Sequence, residues 1–202
     1  MTDRERQVYD ALSALCSKRE YCTADIRRKA LERLSKDSAA PASDMNEAAA
    51  GDAVSAEQFS ASFTERMTGA ASTFSAERMT GAAAAADAVV AALVADGYVD
   101  DRRYAAAFAR DKSALSGWGP VKIRSALLAR GVPREVVLDA LGEIDADRAA
   151  ARLEKVLEAK WRTLRDDPQG RLKLIRFALS RGYDYEPIRP IINRLTHPDE
   201  ED

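Results

Sequence analysis

Two pairs of adjacent aspartates are the residues of this sequence whose type and spacing could carry acid–base chemistry. The pairs are Asp100 with Asp101 and Asp166 with Asp167. Two neighbouring carboxylates can share a proton, so that one acts as general acid and the other as general base. Each pair, however, lies where a helix is expected to begin, and there a carboxylate accepts hydrogen bonds from the first free backbone N–H groups. We therefore expect helix caps at both places and no catalytic residues.

Metal-binding and nucleophilic chemistry have few candidate residues. Cys16, Cys22 and His197 are the only thiol and imidazole donors, too few for a metal cluster of the usual kinds. The sequence contains no GxxxxGK phosphate loop and no Ser-His-Asp set. We expect no enzymatic activity, no cofactor, no metal and no small-molecule substrate. The two cysteines could form a disulfide, but two free thiols fit a reducing compartment better.

Composition and charge favour an all-α protein with its charges unequally distributed. Ala, Leu and Arg are abundant, Gly and Pro number 10 and 7, and alternating β-branched runs are absent. No apolar run approaches the ~18 residues that cross a bilayer, so we expect a soluble, cytoplasmic protein. Residues 101–195 hold 20 Lys/Arg against 13 Asp/Glu, whereas residues 37–100 hold 2 against 10. The basic part predicts an anionic partner.

The stretch LVADGYVDDRRYAAAF predicts the end of one helix and the immediate start of the next. Gly97 can adopt a left-handed conformation without steric cost, so it is expected to end the first helix. Asp100 or Asp101 can cap the second helix. The junction therefore fixes the angle between two packed helices. Across the chain, the predicted structural caps are Gly97, Asp100, Asp101, Gly119, Gly131 and Gly182.

The helical pattern repeats three times along the chain. IRSALLARG aligns with LIRFALSRG at a shift of 51 residues, and IRRKALERL fits the same pattern. Because a single short helix pair buries too little apolar area to be stable alone, we predict three tandem three-helix repeats stacked into an elongated, curved array. The predicted repeats comprise residues 1–36 with 86–100, residues 101–144, and residues 145–195.

Residues 37–85 are predicted to be a disordered, alanine-rich acidic insertion in the first repeat. The segment 37–86 contains 17 alanines, and the heptapeptide ERMTGAA occurs twice in it. Such a segment cannot offset the roughly 1–2 kcal/mol of backbone entropy that ordering each residue costs. A docking role for its Phe and Met residues remains open. Residues 196–202 are predicted to be an acidic tail.

Cations recur in corresponding helices of the second and third repeats and predict a basic, partner-binding stripe. The apolar side of the helix at 169–181 is predicted to comprise Leu172, Leu174, Ile175, Ala178 and Leu179. Phe177 falls on the opposite side among cations, so either a neighbouring helix or a partner covers it. The stripe suits an acidic protein groove or a phosphate backbone. Its predicted residues are Arg103, Arg110, Lys122, Arg124, Arg130, Lys173, Arg176, Phe177 and Arg181.

Three stretches resemble the RecX family of bacterial regulatory proteins: GYVDDRRYAAAFARDK, GWGPVKIRSALLARGVPREVVLDAL and KLIRFALSRGYDYEPIRPII. The resemblance covers residues 1–35 and 87–195. It implies a non-enzymatic, elongated helical protein that lies in the groove of the RecA–DNA filament. It also implies modulation of the RecA recombinase, usually inhibition, in recombination, DNA repair and the SOS response. Its strongest positions are Gly97, Asp101, Tyr104, Ala105, Gly119, Ile123, Leu127 and Gly131.

Two other functions remain open on the residues alone. One is a general nucleic-acid-binding helical module, and the other is a helical scaffold for a different protein. Direct but weak contact with DNA is compatible with the filament-binding function as well.

Overall fold

Helix-forming residues with an apolar position every three or four residues determine the architecture. The computed structural model describes residues 1–36 and 80–197, and in these ranges the elements are helices joined by turns. The predicted all-α fold is confirmed. The helices are α1 (Asp3–Cys16), α2 (Thr23–Lys36), α3 (80–95), α4 (Asp101–Ala114), α5 (Pro120–Leu128), α6 (Arg134–Gly142), α7 (Ala146–Arg162), α8 (Gly170–Ser180) and α9 (Tyr185–Thr196).

The first of two compact units contains the described residues 1–19, 25–36 and 80–99. Its three helices α1, α2 and α3 bury Leu12, Ile26 and Leu93 completely. Thr2 and Glu5 form a capping box at the start of α1, in which each side chain accepts the backbone N–H of the other. These contacts define a three-helix unit with its own small core.

The end of the predicted insertion needs correction. Residues 80–85 are helical and belong to α3, although the sequence interpretation placed the disordered insertion as far as residue 85. Alanine has the highest helix propensity of the residues. The run of alanines before residue 87 therefore extends α3 towards its N-terminus. Residues 37–79 and the acidic tail from residue 198 lie outside the described residues.

The second compact unit contains residues 20–24 and 100–197 and has two hydrophobic clusters. One cluster includes Ile123 of α5 and Val137 of α6. The other includes Leu174 of α8 and Ile188 of α9. All four side chains are fully buried. At the shift of 51 residues, Ile123 aligns with Leu174 and Val137 aligns with Ile188. The prediction of tandem three-helix repeats is therefore confirmed.

The same left-handed turn ends α3, α5 and α8. Gly97, Gly131 and Gly182 have φ angles of 74°, 76° and 87°. In each turn the N–H after the glycine donates to a carbonyl five residues earlier, which satisfies a helix C-terminal acceptor. These bonds are Tyr98 to Leu93 at 2.9 Å, Val132 to Leu127 at 3.2 Å and Tyr183 to Ala178 at 3.4 Å.

The apolar side of α8 is narrower than predicted. Leu174 and Ala178 are fully buried, but Leu172 and Leu179 are 53% and 46% exposed. The helices packed on α8 cover only the positions nearest the core, so the two outer leucines face solvent. Across residues 1–36 and 80–197, the helices are too short or too polar to cross a bilayer.

Candidate partner-binding surface

Aromatic rings and cations alternate across the second repeat. Phe108 stacks on Tyr104 with ring centroids 6.0 Å apart and meets Trp118 edge-on at 6.3 Å. The Arg130 guanidinium lies 5.2 Å from the centre of the Phe108 ring, and its Nη1 donates to the Tyr104 hydroxyl at 2.6 Å. Lys112 lies over both Phe108 and Trp118. Arg130, predicted to bind a partner, thus has an internal structural role.

The second and third repeats are joined through their backbones. The Gly119 N–H donates to the Arg181 carbonyl at 2.8 Å, and the Val121 N–H donates to the Gly182 carbonyl at 3.1 Å. Gly119 is the N-cap of α5 and has no side chain that could cap the helix. The C-terminal turn of α8 therefore supplies the acceptors that the N-terminus of α5 requires.

This joint has no room for side chains on its two glycines. A Cβ atom added to Gly119 would lie 2.3 Å from the Gly182 carbonyl oxygen. A Cβ atom added to Gly182 would lie 2.4 Å from both the backbone nitrogen and the Cβ of Lys122. The two glycines predicted as caps thus also allow two backbones to come into direct contact.

Three cations reinforce the joint. Arg181 Nη1 donates to the Ser116 carbonyl at 2.6 Å, and Lys122 Nζ donates to the Ser180 carbonyl at 3.2 Å. Arg152 of α7 donates to the Leu115 carbonyl at 2.8 Å. Lys122 also lies 4.8 Å from the centre of the Trp118 ring. Two residues of the predicted stripe, Lys122 and Arg181, therefore hold the two repeats together.

Phe177 is covered from within the third repeat. It is partly buried against that repeat's hydrophobic cluster. Lys160 of α7 and Arg181 lie 5.8 Å and 5.0 Å from the centre of its ring. Of the two explanations that the sequence left open, cover by a neighbouring helix matches the structure. The ring therefore serves the packing of α7 against α8.

The aspartate pairs lie at helix starts. Asp100 accepts the N–H groups of Arg102 and Arg103 and is the N-cap of α4. Asp101 accepts the Thr23 N–H at 2.7 Å, so it attaches the turn that precedes α2. Asp167 accepts the Gln169 N–H at 2.8 Å at the start of α8. This geometry uses these carboxylates as structural acceptors.

Two further cations of the stripe are engaged in ion pairs. Arg103 Nε lies 2.7 Å from Glu20 Oε1. Lys173 pairs with Asp167. The Lys173 ammonium, with a smaller contribution from the Gln169 N–H, lowers the pKa of the Asp167 carboxyl. Because these pairs are exposed, each adds little to stability.

Arg110, Arg124 and Arg176 are the stripe residues that remain available. All three are exposed, and none forms a hydrogen bond or ion pair with a described residue. Arg124 lies on α5 and Arg176 on α8 at neighbouring positions of the aligned repeats. The structure thus separates the predicted stripe into cations with internal contacts and a smaller set open to a partner.

The sequence interpretation missed a set of exposed leucines beside these arginines. Leu128 of α5 is 43% exposed and aligns with Leu179 of α8 at the shift of 51 residues. Leu172 is more exposed than either. The repeat alignment alone could have indicated these exposed leucines. In both repeats a leucine directly follows a core position, which is Leu127 in α5 and Ala178 in α8.

Within residues 1–36 and 80–197, no group of three His, Cys, Asp or Glu side chains is placed to hold an ion. Tandem three-helix units with a shared joint place the described part of the chain among helical-repeat proteins. Family models specify the class further. The model described as "RecX, second three-helix domain" matches residues 100–141, and "RecX, third three-helix domain" matches residues 147–192. These two segments of the chain are therefore similar to two successive RecX domains.

Several curated relatives of the chain are named Regulatory protein RecX. A relative from Clostridium perfringens is 34% identical over 103 residues, which are 49% of this chain and 48% of the relative. One from Thermus thermophilus is 39% identical over 100 residues, 50% and 63% of the two chains. One from Escherichia coli is 36% identical over 95 residues, 47% and 57%. The matched part thus spans about half to three fifths of these relatives.

Solved structures share the fold. A crystal structure of regulatory protein RecX superposes with a TM-score of 0.62 at 17% identity, covering 94% of this chain and 71% of the other. The crystal structure of RecX from Lactobacillus salivarius gives a TM-score of 0.60 at 16% identity, covering 96% and 98%. Both structures therefore share the helical fold of this chain.

Proposed function

We propose that this protein binds the RecA–DNA filament and modulates it, most simply by inhibiting RecA recombinase and ATPase activity. The observation that carries the proposal is the pair of RecX domain matches over residues 100–141 and 147–192. In this proposal the protein is a cytoplasmic, non-enzymatic regulator of recombination and DNA repair. Its partner is the filament, and any direct contact with DNA is weak.

The electrostatics of the second and third repeats support this proposal. Residues 101–195 carry an excess of seven basic residues, 20 against 13. Arg124 and Arg176 project this charge into solvent from corresponding helices. A positive surface attracts an anionic partner and raises the rate of association. A RecA–DNA filament, which combines protein with a polyphosphate, would be attracted to it.

The test is RecA-catalysed ATP hydrolysis on single-stranded DNA, measured at increasing concentrations of this protein. We expect the hydrolysis rate to fall as the protein is added at low salt. A rate that is unchanged at several-fold excess over RecA would contradict the proposal. A parallel reaction with a RecA-independent ATPase controls for general effects of the added protein.

A second candidate function, direct nucleic-acid binding, is favoured by the exposed arginines on α5 and α8. A phosphate backbone would attract these cations without any RecA present. Fluorescence anisotropy of labelled oligonucleotides distinguishes the two functions. Tight binding without RecA and a steep loss of affinity with salt would favour the second candidate.

A further inference from the structure

One face of α8 carries two exposed leucines with an arginine between them. Leu172, Arg176 and Leu179 are spaced by four and three residues, which places all three on the same side of the helix. Leu172 is 53% exposed and Leu179 is 46% exposed. At a rise of about 1.5 Å per residue the two leucines are roughly 10 Å apart along the helix axis. We call these three residues the α8 stripe.

The α8 stripe is separate from the core of the third repeat. Leu174 and Ala178 fill the core side of the same helix and are fully buried. Lys160 and Arg181 already cover the Phe177 ring. Folding of the repeat therefore leaves the two leucines half in solvent, where apolar side chains are unfavourable unless something else buries them.

The second repeat has a shorter version of this surface. Leu128 of α5, 43% exposed, occupies the position aligned with Leu179. Arg124 lies one helical turn before it and is exposed. In both repeats an exposed leucine lies within one helical turn of an exposed arginine. This recurrence indicates that the surfaces on α5 and α8 have the same role.

The combination of an arginine with two flanking leucines distinguishes a protein partner from a nucleic-acid partner. A phosphate backbone would attract Arg176 but would leave the leucines in water. A protein surface with apolar recesses on either side of a carboxylate would bury both leucines and pair the guanidinium. Charge complementarity and the apolar flanks therefore both fit an acidic protein surface.

We propose that the α8 stripe is a protein-docking surface whose partner presents a carboxylate between two apolar recesses, about two helical turns apart. Arg124 and Leu128 provide a second, smaller contact of the same kind. The identity of the partner rests on the proposed function, in which it is the protein part of the RecA filament and not its DNA.

The experiment measures the binding of fluorescently labelled protein to RecA filaments assembled on single-stranded DNA with a slowly hydrolysed ATP analogue. The test variant is L172S/L179S. The matched control is L115S/L138S, which removes two other leucines that are 70% and 51% exposed. Circular dichroism verifies that both variants keep their helices, and naked single-stranded DNA is titrated in the same way.

We expect L172S/L179S to weaken filament binding about tenfold to a hundredfold, as the loss of two buried leucine contacts implies. Its affinity for naked DNA and the salt dependence of filament binding should not change, and the control should stay within about twofold of wild type. If wild type binds filaments and L172S/L179S binds equally well, the docking surface is wrong but the proposed function stands. If the variant loses naked-DNA binding instead, the surface contacts nucleic acid. If wild type binds no filament, the proposed function fails and this inference with it.

Discussion

At the scale of single residues, the fold raises the pKa of the Tyr9 phenol. Its hydroxyl donates to Asp96 Oδ2 at 2.5 Å, and its ring meets Tyr98 edge-on. The hydrogen bond to Asp96, together with smaller contributions from burial and the carboxylate charge, raises the pKa of Tyr9 to about 12. The bond connects α1 to the turn after α3.

Replacing Asp96 by alanine should return the pKa of Tyr9 toward its ordinary value of 10.0. In the wild type the folded chain holds this proton more tightly than the unfolded chain. The stabilisation is therefore fully present below pH 10, the unfolded value, and is lost as the pH rises toward 12. The ultraviolet absorbance of tyrosinate, followed against pH, checks the shift. Tyr9→Phe assigns the late-titrating group, and identical curves for wild type and Asp96→Ala would show that the bond is absent in solution.

Two buried tyrosines provide a second prediction at this scale. Tyr104 and Tyr183 are 7% and 8% exposed, but only Tyr104 has a described partner for its hydroxyl, Arg130. Burial raises the pKa of the Tyr183 phenol, as expected for a hydroxyl out of water. Tyr104→Phe should cost about 1 kcal/mol of unfolding free energy, whereas Tyr183→Phe should be neutral or stabilising. Urea denaturation measures both, and equal losses would contradict the difference in bonding.

The sequence predicts residue roles well where they are local. Gly97, Gly131 and Gly182 follow apolar helical runs, and all three adopt the left-handed conformation that such positions require. The contact of Gly119 with Gly182 could not be predicted, because it depends on residues 63 positions apart in the chain. For the same reason the internal contacts of Arg130 and Arg181 were not foreseen.

At the scale of elements, the joint between α5 and α8 is the feature that determines how the second and third repeats are connected. The N-terminus of one helix receives its backbone acceptors from the C-terminal turn of the other. Any atom inserted between the two glycines must displace backbone, because neither contact involves a flexible side-chain end. We therefore expect the two repeats to unfold together.

Gly119→Ala should lower the free energy of unfolding by roughly 1–3 kcal/mol, the usual range for overpacking. Gly142→Ala is the matched control, since a Cβ atom there has nothing within 4 Å. That change lies in α6 and should be neutral or stabilising by about 0.4–1 kcal/mol. Thermal and urea unfolding of both variants test the joint, and a Gly119→Ala protein as stable as Gly142→Ala would rule out the close backbone contact.

Most helices could be placed from the sequence, because apolar periodicity and caps are local signals. α5 begins at Pro120 and α8 ends near Gly182, as the pattern of Pro and Gly indicates. α3 is the exception: its alanine-rich start has no apolar period, so only propensity marks it as helix. The exposure of Leu172 and Leu179 was not predicted from the sequence. The packing of α7 and α9 on α8 decides which leucines are covered.

At the scale of the whole molecule, the charge is segregated along the chain. The acidic excess lies in residues 37–100, and the basic excess lies in the second and third repeats. This pattern, visible in the sequence, predicted an anionic partner but not which cations contact it. The structure separates the basic residues into two groups. Several stabilise the fold, whereas Arg124 and Arg176 face solvent from corresponding helices.

The central claim is that Arg124 and Arg176, which are exposed on corresponding helices of the second and third repeats, bind the RecA filament. It is tested most directly by RecA-catalysed ATP hydrolysis with wild type and R124E/R176E. The control, R134E/R165E, makes the same change of net charge at two other exposed arginines. We predict that R124E/R176E needs about tenfold more protein for half-maximal inhibition while the control matches wild type within about twofold. Equal inhibition by wild type and R124E/R176E, with helicity intact, would contradict the claim.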